Sequence, residues 1–328
     1  MKHILSAMAA ALALTIAQTP VLAQAPAKTA RLAHGLTEGS PYDIGAKKFA
    51  ELSDKYSNGT VKVRIYPNAQ LGAEQATAKD AQLGLLDMTL VAINNASTWY
   101  PPLDVTILPF VFRDRDHVNA VVNGPVGQEL FEGYRKASGL RIVSVLEWGD
   151  RGILSSKRAI EKPADLAGVK LRLPKNQVML DTYSALGATP TAIDWGELYA
   201  ALQQGVADGL EGPPPGMIDM KFTDFLKYYS YVPVFHGLGV ILVNDNWFNK
   251  LNAEQQKAVL QAGREAGDYQ RQVSAKAHQS ALEKMRQMGI KVNVVNDLTP
   301  FKKATEPVMA KYKSVIGADW ITKVQQAK

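Results

Sequence analysis

The segment of this chain best suited to ligand chemistry is Asp165-Leu166-Ala167-Gly168-Val169-Lys170-Leu171-Arg172-Leu173-Pro174. Val169, Leu171 and Leu173 alternate with Lys170 and Arg172, the period-two pattern of a strand with one buried face. Pro174 cannot donate to a sheet ladder, so the strand is expected to stop there with Arg172 at its mouth. In open α/β sheets, ligands sit outside the carboxyl ends of strands, and a guanidinium placed there offers a planar fork to a carboxylate. An ordinary solvated Lys/Arg face would give the same alternation, so the rest of the chain has to separate the two readings.

Other chemistries find little support. The five histidines, at 3, 34, 117, 236 and 278, include no pair at the i, i+4 spacing of a helical zinc site, and there is no cysteine. Phosphate-cradling Gly-rich loops and a Gly-x-Ser-x-Gly elbow are missing too, so neither a cofactor nor a metal is expected. Asp194 with Glu197, and Asp208 with Glu211, are carboxylate pairs that an acid/base enzyme would need. Such pairs also arise by chance, and Asp194 reads better as the cap of the helix containing Glu197.

Strand-like and helix-like segments alternate around these residues, which indicates an α/β protein. Strands are expected at 29–34, 61–66, 86–93 and 141–148, and a long one within 232–244. Helices are expected at 41–56, with Pro41 in the first turn, at 116–136 with a break at Asn123-Gly124-Pro125, at 177–186 and at 197–204. The run Asp208 to Gly216, rich in Gly and Pro, reads as a rigid loop. Residues 253–289 carry one very long polar helix pattern without a strong cap or a sustained heptad, which suits a helix bridging two domains. The first crossing between domains is placed at Gly149-Asp150-Arg151-Gly152.

Residues 1–23 read as a secretory signal peptide: Lys2 and His3, an apolar run from Ile4 to Ile16, then Val21-Leu22-Ala23 before a polar stretch, with cleavage near Ala23. No second run approaches membrane-spanning length, so no direct membrane insertion of the mature chain is expected. The net charge of +6 is spread among interleaved acids without a basic stripe, which argues against nucleic acid and suits capture of small anions.

Four motifs in the same order carry a family likeness: Tyr66-Pro67-Asn68-Ala69-Gln70-Leu71-Gly72, Gly84-Leu85-Leu86-Asp87-Met88, Asp165 to Pro174, and Glu197-Leu198-Tyr199-Ala200-Ala201-Leu202-Gln203 with Asp208-Gly209 beyond. Together they resemble the solute-binding subunit of tripartite ATP-independent periplasmic (TRAP) transporters, the family that contains four-carbon-dicarboxylate binders. The resemblance implies a two-lobed periplasmic protein, with mixed central sheets, an interdomain cleft and a long bridging helix. Lobe I would be 24–149 plus 238–277, and lobe II 150–237 plus 278–328. It implies a binding protein, not an enzyme, that captures a small organic acid by cleft closure and hands it to the ion-driven permease subunits in the membrane. Arg172 matches the family's carboxylate-pairing arginine, Arg151 a second assisting arginine, Trp195 an aromatic position against the ligand, and Glu74 a polar pocket position.

One departure concerns Glu211-Gly212-Pro213, where many relatives have Glu-Asn-Pro. Gly212 removes an amide that would reach the ligand. With Trp148, Trp195 and Tyr199 expected nearby, the pocket reads as large and apolar, suited to a monocarboxylate with a bulky or aromatic tail or a 2-oxo acid, with a dicarboxylate as a further possibility. The competing readings are a lyase-like periplasmic enzyme using Glu211 or Asp194, and a ligand-presenting partner of a membrane sensor.

Overall fold

Short runs of buried residues build two mixed sheets in the computed structural model, which describes residues 26–328. The expected signal segment lies outside the described residues. The first sheet has the order β2-β1-β3-β10-β4, formed by β1 (Lys28–His34), β2 (Val61–Tyr66), β3 (Met88–Ala92), β4 (Leu140–Asp150) and β10 (His236–Asn244). The parallel neighbours β2, β1 and β3 are joined through the Pro41–Tyr56 and Glu74–Leu83 helices, while β10 runs antiparallel between β3 and β4. Both β3 and β10 are buried along their whole length, which is why they read as continuous apolar runs. Ser40 caps the Pro41–Tyr56 helix by accepting the Asp43 N–H, with Pro41 at its first position as the sequence indicated.

The second sheet has the order β11-β9-β5-β8-β6-β7, formed by β5 (Gly152–Ser155), β6 (Lys170–Leu173), β7 (Thr189–Ala192), β8 (Gly209–Gly212), β9 (Tyr228–Tyr231) and β11 (Lys291–Val294). Here the sequence reading of 208–216 is corrected. Gly209–Gly212 is a central strand, antiparallel to β5 and parallel to β6, and Pro214–Asp219 is a short helix. Its first glycine reflects close backbone approach, because a Cβ on Gly209 would lie 2.4 Å from the Leu154 carbonyl oxygen.

Three segments join the sheets. Arg151 alone separates β4 from β5, residues 232–235 lead from β9 to β10, and the Ala253–Gln287 helix leads toward β11. That helix is 35 residues long and, contrary to the sequence reading, is well capped: Asn252 accepts from the Gln255 N–H and the Gln255 side chain from the Asn252 N–H. It lies directly on β4. A Cβ on Gly263 would come within 2.0 Å of the Val143 carbonyl oxygen, and Gln270 bonds both the N–H and the carbonyl of Glu147. The Thr299–Ile316 helix touches the cores of both sheets, Phe301 packing with Ile153 and Leu171, and Val308, Tyr312 and Ile316 with Val91, Leu103 and Val240. No helix among the described residues is long and apolar enough to cross a membrane.

An ionic cluster ties these crossings together. His236 sits 2.8 Å from Asp150 and 3.1 Å from Glu147, which also takes a 2.5 Å bond from Arg115, while Tyr231 of the second sheet donates to Asp150. Burial alone would lower the His236 pKa, but the two carboxylates override it and raise the ring to about 9. A raised folded-state pKa adds stability that is complete below the ordinary value of 6.5 and is lost as pH rises through about 9. Chemical denaturation should therefore show the protein losing about 2 to 3 kcal/mol between pH 6.5 and 9.5, and His236→Gln should abolish most of that slope. A wild-type stability that stays flat across this interval contradicts the assignment.

Candidate functional site

Between the two sheets lies a cavity of about 420 Å³ whose wall includes Arg172, Arg151, Trp195, Glu74 and Trp148. The second sheet delivers Arg172 from the carboxyl end of β6 just before Pro174, and the β4–β5 junction delivers Arg151. Glu74 opens the Glu74–Leu83 helix, Trp148 sits near the end of β4, and Trp195 follows β7 in a turn of 3₁₀ helix. Thr37, Asn68, Gln75, Asn94 and Asn95 add polar groups to the wall on the side of the first sheet.

The two arginines are held differently. Arg151 forms a two-point fork with Glu211 of β8, Nε to Oε2 at 2.6 Å and Nη2 to Oε1 at 2.5 Å, with both side chains buried. Burial would lower the Arg151 pKa, yet Glu211 more than offsets this and raises it. Arg172 is 3% exposed, and its one side-chain hydrogen bond among the described residues runs from Nε to the Ile193 carbonyl oxygen at 2.8 Å. Neither Nη group has an acceptor among the described residues. Burial pushes Arg172 down to about 10, with Arg151 adding to the fall and Glu211, Glu74 and Asp194 opposing it. It stays charged at neutral pH and is the less compensated cation of the two. Its guanidinium lies 5.4 Å from the Trp195 ring centroid, and the Trp195 ring packs edge-on against Phe222 at 5.1 Å. Trp148 packs edge-on against Tyr42, with centroids 4.3 Å apart.

Glu74 is half-buried, and its Oε2 accepts from the Ala92 N–H at 2.8 Å and from Asn95 Nδ2 at 2.7 Å. Burial raises its pKa, against the pull of these two bonds and of Arg172 and Arg151. The same polar chain reaches across the cleft. Gln75 and Asn94 both donate to Asn95 Oδ1, and Asn176, three residues from the Leu173 end of β6, donates to the Asn94 carbonyl at 3.2 Å and to Asp104 at 3.2 Å.

Several residues stand elsewhere than the sequence suggested. Gly212 ends β8 and is not among the residues lining the cavity; a Cβ there would meet Met217 at 3.5 Å. Tyr199 packs on Phe225 instead, at 5.0 Å. Lys170 turns away from the cavity, donating to the Gly205 carbonyl oxygen at 2.6 Å. Asp194 lines the cavity but makes no capping bond with its side chain, which lies 3.3 Å from Lys175. Glu211, considered as a catalytic acid, is bound up with Arg151, and Asp208 pairs with Lys157 at 3.3 Å. The amides of Asn94 and Asn95 were not anticipated from sequence; these residues form a short helix after β3. Their place directly after a buried strand was the signal available for them.

Residues 32–314 match the DctP family, described as bacterial extracellular solute-binding protein, family 7. The chain is 31% identical over 341 residues to the C4-dicarboxylate-binding periplasmic protein DctP of Rhodobacter capsulatus, covering 99% of this chain and 98% of that protein. A TRAP periplasmic solute-binding protein from Polaromonas sp. JS666 bound to D-erythronate is similar in structure, with a TM-score of 0.88, 28% identity, and coverage of 92% of this chain and 99% of that one. The sugar acid binding protein DctPAm from Advenella mimigardefordensis strain DPN7T, in complex with galactonate, has a TM-score of 0.88 and 27% identity, covering 92% of this chain and 98% of its own.

The Arg151–Glu211 fork gives the site a measurable energetic signature. Glu211→Gln leaves the Arg151 charge uncompensated in a buried wall that already holds Arg172, and removing one partner of such a pair costs about 3 to 5 kcal/mol. Urea denaturation is expected to show a loss in that range, with the double variant Arg151→Met/Glu211→Gln recovering much of it. A single-variant loss below about 1 kcal/mol would mean that the fork does not hold the wall together.

Proposed function

Because the chain belongs to family 7 of the bacterial extracellular solute-binding proteins, the periplasmic binding subunits of TRAP transporters, we propose that it captures a hydroxylated organic acid between its two lobes and presents it to the permease. Proteins of this family are transport components rather than enzymes, and they bind small organic acids and work with membrane permease subunits. The observation that carries the reading is Arg172. It is a nearly buried guanidinium, oriented through Nε by the Ile193 carbonyl, with both Nη groups free to fork onto a ligand carboxylate.

Thr37, Asn68, Gln75, Asn94 and Asn95 on this wall offer hydrogen-bond partners to hydroxyl groups on the rest of the ligand. The acids held by the two structural relatives, galactonate and D-erythronate, are of this kind. The indole faces of Trp195 and Trp148 then pack against the C–H side of such a chain, while the amides and Glu74 meet its hydroxyls. The lobes, one around each sheet, close by rotation about the three joining segments. Closure lowers the effective dielectric around the Arg172 ion pair and strengthens it. The closed form carries a surface drawn from both lobes, through which the permease distinguishes the loaded protein from the empty one.

A thermal-shift screen of aldonates, uronates, 2-oxo acids, aromatic monocarboxylates and dicarboxylates identifies the ligand class, since a ligand at 100 times its Kd adds about 2.7 kcal/mol of stability. Titration calorimetry with galactonate then tests the anchor. Truncating one partner of a buried charge pair costs about 2 to 5 kcal/mol, so Arg172→Ala is expected to weaken binding roughly 30-fold to a few thousandfold. Near wild-type affinity in that variant sinks the proposal.

A further inference from the structure

The cavity holds more acid than the capture of an anion requires. Among the described residues that line it, the cationic side chains are Arg151 and Arg172, against the carboxylates Glu74, Asp194 and Glu197. Arg151 is already neutralised by Glu211, so one guanidinium remains to receive a ligand carboxylate. A second carboxylate on the same ligand would find amide donors but no further cation, and it would face Glu74.

Glu74 is arranged for a different partner. Among the described residues, its Oε2 takes both side-chain hydrogen bonds, from the Ala92 N–H and Asn95 Nδ2, while Oε1 takes none. Those two donors lie outside its own helix, so the side chain is doing more than placing a negative charge at a helix start. Gly35, also on the cavity wall, lies beside this side chain: a Cβ at that position would meet Cγ at 3.7 Å and Oε1 at 4.0 Å. A carboxylate oxygen fixed in this way accepts from a hydroxyl and repels another carboxylate.

We propose that Glu74 makes the cavity selective for acids bearing a single carboxylate, accepting a ligand hydroxyl through Oε1 and turning away a second carboxylate at the same place. This rests on the reading that Arg172 holds the first carboxylate. The bonds to Ala92 and Asn95 keep Glu74 aimed in this direction, and Gln at position 74 retains an oxygen for them, so the substitution removes the charge and keeps the shape.

The test uses matched pairs that differ only in whether the terminal carbon is a primary alcohol or a carboxylate: galactonate with galactarate, and D-erythronate with meso-tartrate. By calorimetry at pH 7.5 the monoacid of a pair is expected to bind the wild-type protein at least about tenfold more tightly than its diacid. Glu74→Gln should narrow that ratio to within about threefold, mainly through tighter binding of the diacid, while Arg172→Ala weakens both members. Equal affinities in the wild type, or a ratio unchanged in a folded Glu74→Gln variant, overturn the role of Glu74 and leave the Arg172 anchor standing. Failure of both monoacids to bind overturns the hydroxy-acid reading, and this proposal with it.

Discussion

Two guanidinium groups in one buried wall repel each other and lose their hydration, and the wall is stable only because one of them is neutralised. The Arg151–Glu211 fork supplies that neutralisation, and much of the architecture follows from it. Glu211 has to stand on a strand that neighbours both β5 and β6, which places Gly209–Gly212 in the middle of the second sheet. Arg151 has to enter from the β4–β5 junction, where the chain passes from one sheet to the other. With that charge settled, Arg172 is left at the carboxyl end of β6, oriented by the Ile193 carbonyl and backed by the Trp195 ring.

The first sheet supplies a complementary wall. Glu74, Asn94 and Asn95 come from the ends of elements that flank β3, and they are cross-linked by amide hydrogen bonds, so they behave as one rigid polar surface. The long Ala253–Gln287 helix keeps that surface registered with the second sheet. Small residues, Ala262, Gly263, Ala266 and Gly267, bring it against β4, and Gln270 fastens it to the backbone of Glu147. Cavity walls and brace thus share β4, whose Trp148 lines the cavity beside the bonded Glu147.

Much of this was legible in the sequence, and the exceptions have physical reasons. Period-two alternation located β2 and the Arg172 strand, and Ser40-Pro41 marked a helix start, because these patterns are local consequences of one-sided burial and capping. The Gly209–Gly212 strand was hidden because glycine propensity points to turns, whereas here it answers to a neighbouring backbone that no local window contains. The cap on the long helix was hidden because Gln255 stands in for the more familiar acid. At the site, Arg172, Arg151, Trp195, Glu74 and Trp148 fell on one cavity wall, but the partner of Arg151 lay 60 residues away on a strand read as a loop. Gly212 was placed in the pocket by the resemblance and Tyr199 by its nearness to Trp195, but the backbone at Gly212 faces Met217 and the Tyr199 ring packs on Phe225.

One of the three junctions between the sheets is a single residue long, and that residue is Arg151. At this crossing the backbone torsions that contribute to the tilt of one sheet against the other belong to the same residue whose side chain lines the cavity. Gly149, at φ 83°, gives the backbone just before it a turn that side chains disfavour. A rotation at this crossing would therefore reorient a cavity charge with no intervening residue to absorb it.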